Sequence, residues 1–290
     1  MKKLIFIFFI IRLTIYSEIL QVNLGEEKNA EIYYEIIGEG KPIVILHSAA
    51  WGYLEPVFKK YDGLKRIYID PPGIGKSSSD AWIKTADDCL DILLYSIDNI
   101  IPEENFAVYG FSYFGYMARG IISERKEKII GALLVCPVIF PEYGKRKIPI
   151  NFYSDVDSVF FNSLDQNEKE FFDGFATINE KSYSASKKLQ RKDVLMNVEF
   201  WNKIKKNNYS FSFDPDKKIS SFENPVVIIA GRQDKVVGYT DVENLFPVFP
   251  NALIVFADNA GHSLPYEKNE LLNFLIKNWI EKINSVSGFN

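Results

Sequence analysis

Ser112 stands between glycines in Gly110-Phe111-Ser112-Tyr113-Phe114-Gly115, directly after the apolar run Phe106-Ala107-Val108-Tyr109. A strand that breaks at Gly-x-Ser and continues as a helix lifts the serine hydroxyl off the end of a sheet on a sharp turn, where a base can reach it. Tyr116-Met117-Ala118-Arg119 reads as the continuation of that helix. A serine hydroxyl is a weak nucleophile until a base accepts its proton. The chain holds two histidines, His47 and His262, so a histidine base has two candidates.

His262 lies in Asn259-Ala260-Gly261-His262-Ser263, just past the apolar run Leu253-Ile254-Val255-Phe256. Asp234 lies in Gly231-Arg232-Gln233-Asp234, just past Val226-Val227-Ile228-Ile229-Ala230. Both runs read as buried strands, so both residues fall in loops at strand carboxyl ends, where open α/β sheets bind ligands. Taken singly, each has a plainer role: a turn serine, a capping aspartate, a structural histidine. Together, in the order Ser, Asp, His, they supply nucleophile, orienting acid and base. His47 opens the loop His47-Ser48-Ala49 after the strand Ile43-Val44-Ile45-Leu46. That is the place of an oxyanion loop, so the backbone N–H groups of Ala49 and Tyr113 are expected to hold the oxyanion. His47 is expected to brace its own loop.

Other chemistries have weaker support. Cys89 and Cys136 are far apart in apolar segments and read as buried free thiols. Two cysteines and two histidines without close-spaced pairs do not compose a structural zinc site, and no acidic loop pattern suggests another metal. Gly73-Ile74-Gly75-Lys76-Ser77 looks like the end of a phosphate-binding loop, but the position that needs glycine is Asp70. Pro71 and Pro72 also remove two backbone donors. This stretch is expected to be a loop beside the site. No cofactor and no metal are expected.

The elements that must position these residues are legible as a pattern. Residues 19–24 and 30–36 read as two strands joined by a turn, and the run ending at Asp70 as another. Residues 85–101 read as a helix, with Thr85 and Asp88 as a capping-box-like start. A closing amphipathic helix spans about 270–284. Strands alternating with helices imply a mostly parallel sheet covered on both faces, with an antiparallel edge. From 145 to 222 the alternation stops, and the text is lysine-rich, aromatic-rich and helical in pattern. It reads as an inserted cap dividing a core of residues 19–144 and 223–290. Phe171, Phe172, Phe175, Phe200, Trp201 and Tyr209 are among its many aromatics. They read chiefly as the cap's own core, with an apolar pocket against the sheet as the sharper expectation.

At 290 residues and 47% hydrophobic, the chain is long enough for one large domain with an insertion. The formal net charge is −4. No long basic run supports nucleic-acid binding. Residues 1–18 read either as a signal-peptide-like leader or as a non-structural one: Lys2-Lys3 precede an apolar stretch that Arg12 ends. The stretch is too short for a membrane span. The expected location is cytoplasmic, or exported if the leader is a signal peptide.

His47-Ser48, Asp70-Pro71-Pro72-Gly73-Ile74-Gly75-Lys76-Ser77, Gly110-x-Ser112, Gly231-Arg232-Gln233-Asp234 and Gly261-His262, in this order, resemble the α/β-hydrolase fold superfamily. The similarity is to its capped esterase, aminopeptidase and C–C hydrolase branch. The resemblance implies an eight-stranded, mostly parallel sheet in a three-layer α/β/α sandwich. It further implies a helical cap after the sixth strand and no cofactor. It also implies a serine hydrolase acting on a small-molecule ester, amide, thioester or activated C–C bond through Ser112, Asp234 and His262. A non-catalytic ligand-binding protein or a cofactor-free acyltransferase on the same fold are the alternatives. Two positions depart from the superfamily pattern. Ser48 replaces a glycine in the oxyanion loop. Phe114 replaces the glycine two places after the nucleophile, where a bulky side chain must turn away from the strand packing.

Overall fold

The computed structural model describes residues 15–46, 54–150, 155–172, 174–189 and 194–285. His47, Ser48 and Ala49, and most of the expected leader, lie outside the described residues.

Eight strands form one sheet: β1 (Ile15–Asn23), β2 (Asn29–Ile37), β3 (Lys41–Leu46), β4 (Leu64–Ile69), β5 (Phe106–Phe111), β6 (Ile129–Val135), β7 (Val226–Gly231) and β8 (Leu253–Ala257). Their spatial order is β1-β2-β4-β3-β5-β6-β7-β8. β1 pairs antiparallel with β2, and β2 with β4; the remaining pairs are parallel. β5, β6 and β7 are buried along their whole length, as continuous apolar runs in a sheet covered on both faces require. Helices lie on both sides, giving a three-layer sandwich.

Two strand expectations are corrected. β1 begins at Ile15 rather than Ile19, in register with β2 from Ile15 opposite Ile37 to Asn23 opposite Asn29. Among the added residues Ser17 and Glu18 are polar and Tyr16 is exposed, and Glu18 accepts a hydrogen bond from the Tyr34 hydroxyl at 2.9 Å. β8 is only partly covered, because it is the sheet's outer edge and pairs with β7 alone.

Helix α1 (Ala86–Ile100) starts where the sequence sets it: Thr85 Oγ1 accepts from the Asp88 N–H at 3.0 Å, and Asp88 Oδ2 accepts from the Thr85 N–H at 3.0 Å. α2 (Tyr113–Arg125) follows Ser112 without a linker. Between β6 and β7 the chain is mainly helical, including α3 (Glu180–Leu189), α4 (Val198–Asn207) and α5 (Pro215–Ile219). Its strands are a two-residue parallel pair, Asp155–Val156 with Thr177–Ile178. The last helix, α6 (Asn269–Ser285), buries Leu272, Leu275, Trp279 and Ile283. No helix among the described residues is long and apolar enough to cross a membrane.

Candidate active site

β5, β7 and β8 deliver Ser112, Asp234 and His262 to one edge of the sheet. Ser112 has φ 56° and ψ −122°, a left-handed backbone that a non-glycine residue adopts only when its surroundings hold it there. Those surroundings are specific. The Ser112 N–H donates to the Val135 carbonyl, and the Ser112 carbonyl accepts from the Val138 N–H, both at 3.0 Å. A Cβ on Gly110 would stand 2.2 Å from the Phe114 carbonyl oxygen, and one on Gly115 would stand 2.8 Å from Pro137 Cβ. The turn therefore needs glycine at 110 and 115. It leaves room at 114, where Phe114 packs edge-on against Trp201 with ring centroids 5.8 Å apart. The departure from the superfamily pattern thus puts a side chain into the wall of the site.

The His262 ring bridges the other two residues. Nε2 lies 2.9 Å from Ser112 Oγ, and Nδ1 lies 2.8 Å from Asp234 Oδ2. The ring packs on Phe111 at a centroid distance of 5.1 Å. Asp234 is fully buried, and a buried carboxylate must be hydrogen-bonded on its free oxygen. Oδ1 accepts from the N–H groups of Val236 and Val237 at 2.8 and 2.9 Å. The Asp and His loops are tied to each other: the Gln233 N–H donates to the Ala260 carbonyl at 2.9 Å, and Gln233 Oε1 accepts the Ala260 N–H at 3.1 Å. Gly231 permits this approach, since a Cβ there would meet the Ala260 oxygen at 2.3 Å.

Tyr113 is the first residue of α2, so its N–H belongs to the helix's first turn, which has no intrahelical acceptor. It stands directly beside Ser112. Its side chain has a separate job: the hydroxyl donates to the Tyr209 carbonyl at 3.0 Å, and the two rings stack at 3.9 Å. Ala49, the other expected oxyanion donor, is outside the described residues.

The phosphate-loop look-alike has an internal anion. Asp70 Oδ2 accepts the Lys76 N–H at 3.0 Å, and a Cβ on Gly75 would stand 2.0 Å from that same oxygen. The carboxylate occupies the space a phosphate would need. The loop also meets the insertion, through the Gly75 N–H on the Leu195 carbonyl at 2.7 Å and the Asn197 N–H on the Gly73 carbonyl at 2.8 Å.

Three residues near the site escaped the sequence. Cys136 is buried as expected of a free thiol, but its donor atom lies within 4.8 Å of those of Asp234 and His262. Burial, with the negative Asp234 beside it, pushes its pKa well up, so it stands as a neutral thiol. A metal there would have to break the His262–Asp234 bond and ionise that thiol. Glu267 accepts N–H groups from both sides of the site: Gly261 at 2.8 Å, Thr177 at 2.7 Å, and Ala176. Burial raises its pKa to about 7, against those three hydrogen bonds. Arg146 donates to the carbonyls of Phe140, Pro141 and Val236 at 2.9, 2.9 and 3.0 Å. Neither Glu267 nor Arg146 sits in a motif; their partners are backbone groups, which leave no mark in the residue types.

Two cavities open on Ser112. A smaller one of about 190 Å³ is lined by Ile74, Phe111, Phe114, Met196 and Trp201 among others, and a larger one of about 790 Å³ includes Arg146 in its wall. The insertion's aromatics divide accordingly. Trp201 and Tyr209 face the site, whereas Phe171, Phe172 and Phe175 contact one another, with Phe171 and Phe175 packing on Tyr266.

The family model for the alpha/beta hydrolase fold matches residues 42–269. Among curated proteins, the chain is similar to the AB hydrolase superfamily protein YisY of Bacillus subtilis, 22% identical over 262 residues covering 86% of this chain and 95% of the relative. It is also similar to a probable proline iminopeptidase of Leptolyngbya boryana, 26% identical over 280 residues covering 80% and 85%. Among solved structures, an alpha/beta superfamily hydrolase from Oenococcus oeni PSU-1 superposes with a TM-score of 0.77 at 29% identity, covering 88% of this chain and 97% of that one.

Proposed function

The chain belongs to the alpha/beta hydrolase fold family and is a hydrolase, and from that premise we propose that it is a serine hydrolase cleaving a small-molecule acyl compound, an ester in the first instance, with Ser112, His262 and Asp234 as its catalytic residues. The observation that carries this reading is the single imidazole within 2.9 Å of Ser112 Oγ and 2.8 Å of Asp234 Oδ2. In the proposed reaction His262 Nε2 takes the Ser112 proton as Oγ attacks the carbonyl carbon. Asp234 fixes the Nδ1–H tautomer and stabilises the imidazolium that forms. The carbonyl oxygen becomes an oxyanion beside the Tyr113 N–H, with the Ala49 N–H as the second donor. The imidazolium then protonates the leaving alcohol, and water, activated by the same histidine, releases the acid from acyl-Ser112. The segment 145–222 acts as a cap whose Trp201 and Tyr209 close the apolar side of the site.

A fluorophosphonate probe tests this directly. The parent protein is expected to be labelled at Ser112 and to turn over short phenyl esters. Ser112→Ala is expected to lose labelling and at least about 10⁴-fold in kcat. A folded parent that neither labels nor turns over an ester panel would overturn the reading.

A further inference from the structure

Ser112 lies where two cavities of unlike chemistry meet, and Lys205 and Tyr209 share both walls with it. The smaller is walled mainly by apolar and aromatic side chains and holds about 190 Å³. An apolar cavity of about 150 Å³ accommodates a benzene ring, so this one suits a phenyl group or a short alkyl chain. The larger, about 790 Å³, has Arg146 and Lys206 as well as Lys205 in the wall it shares with Ser112.

Arg146 is the distinctive member. A guanidinium keeps its charge in any protein environment and offers five N–H donors. Three are spent on the carbonyls of Phe140, Pro141 and Val236, from two separate loops. These bonds hold the group rigid without neutralising it; the Tyr143 ring lies 5.7 Å from it, and Tyr209 also lies within its electrostatic reach. The acids in the same wall are engaged elsewhere: Asp87 accepts the Ser212 N–H at 3.0 Å, and Glu142 pairs with Lys145 at 2.9 Å. Asp241 is buried and accepts the Lys147 N–H at 2.8 Å; it and Asp234 act on Arg146 through space. A fixed cation with spare donors in a cavity that ends at the nucleophile is a preorganised receptor for an anion.

Resting on the reading of Ser112 as nucleophile, we propose that the substrate is an acyl compound with a phenyl-sized or short alkyl group on one side of the scissile carbonyl. On the other side it carries a carboxylate, received by Arg146.

The test uses the Ser112→Ala protein, titrated by calorimetry with three related esters. Phenyl butyrate is neutral, 4-carboxyphenyl butyrate is anionic on the alcohol side, and the phenyl half-ester of glutaric acid is anionic on the acyl side. At least one anionic ester is expected to bind about 10-fold or more tighter than the neutral one, the yield of a charge-assisted contact. Arg146→Met on that background is expected to erase the preference and leave phenyl butyrate binding little changed. Arg146→Lys keeps the charge without the planar fork and is expected to keep part of the preference, which also covers a Met variant that fails to fold. No advantage for either anionic ester overturns the proposal. So does a loss of affinity shared by all three esters in Arg146→Met, which marks a purely structural arginine. Turnover by the parent is scored separately: its absence counts against Ser112 as nucleophile, while the binding result judges the anion site alone.

Discussion

At the residue scale, Asp234 is committed on both oxygens, one to His262 and the other to the N–H groups of Val236 and Val237. Asparagine has one acceptor oxygen for those two sets of donors. In Asp234→Asn the amide oxygen stays with the backbone N–H pair, the NH₂ faces Nδ1, and the imidazole is driven to the wrong tautomer. The expected result is a kcat lower by about 10⁴-fold, with KM close to the parent's, measured by steady-state hydrolysis of phenyl butyrate. Fold and stability should change little, so an unfolded variant would show that Asp234 serves the loop more than the histidine. Ser112, Asp234 and His262 announce themselves because each sits one to five residues beyond an apolar strand, beside glycines that a close backbone approach demands. Phe114 was legible as a departure but not in its consequence. Only the structure shows that the glycine requirement falls on Gly110 and Gly115.

At the element scale, α2 both follows Ser112 and packs against the segment between β6 and β7. Arg119, near its middle, is 1% exposed, and donates to the Val138 and Ile139 carbonyls at 2.7 and 3.0 Å and to Asp216 at 2.8 Å. One side chain thus ties the helix that follows Ser112 to the loop after β6 and to α5. Removing Asp216 leaves a buried cation without its counter-charge. Asp216→Ala is expected to cost about 3 kcal/mol, read as a lowered urea midpoint; a shift of a few tenths would mean solvent replaces the carboxylate. Elements with local signatures were readable. α1 was set by Thr85 and Asp88, and β3, β5 and β7 by unbroken apolar runs. β1 began four residues earlier than its apolar text because its start is stabilised by pairing with β2, a non-local effect. The fine structure of the insertion was not readable either. Among the described residues its helices run ten residues at most, too short to stand out from the text around them.

At the scale of the whole molecule, the question is what couples the insertion to the sheet. The His262 loop meets insertion residues so closely that a Cβ on Gly261 would stand 2.5 Å from the Gly174 carbonyl oxygen. Thr177 Oγ1 donates to the Asn259 carbonyl at 2.7 Å. Glu267 completes the joint by receiving N–H groups of Ala176 and Thr177 on one oxygen and of Gly261 on the other. Loss of this acceptor strands three N–H donors, so Glu267→Ala is expected to destabilise the protein by roughly 3 kcal/mol or more. The joint also titrates. Burial first, and the nearby Asp234 in a smaller degree, raise the Glu267 pKa to about 7 from its ordinary 4.5. Between these values the folded chain holds a proton that the unfolded chain has released. Stability contributed by this group is therefore full below about pH 4.5 and declines as pH rises through 7. Carboxylates with lowered pKa, such as Glu142 and Asp258, act in the opposite sense at lower pH, so the difference between two proteins is the clean measurement. Glu267→Gln keeps an acceptor and a donor but cannot ionise. Its thermal midpoint, relative to the parent's, is expected to rise as pH goes from 4.5 to 7.5. A difference that stays flat across that range would mean the three N–H bonds keep Glu267 ionised throughout, and that the joint is rigid rather than pH-sensitive.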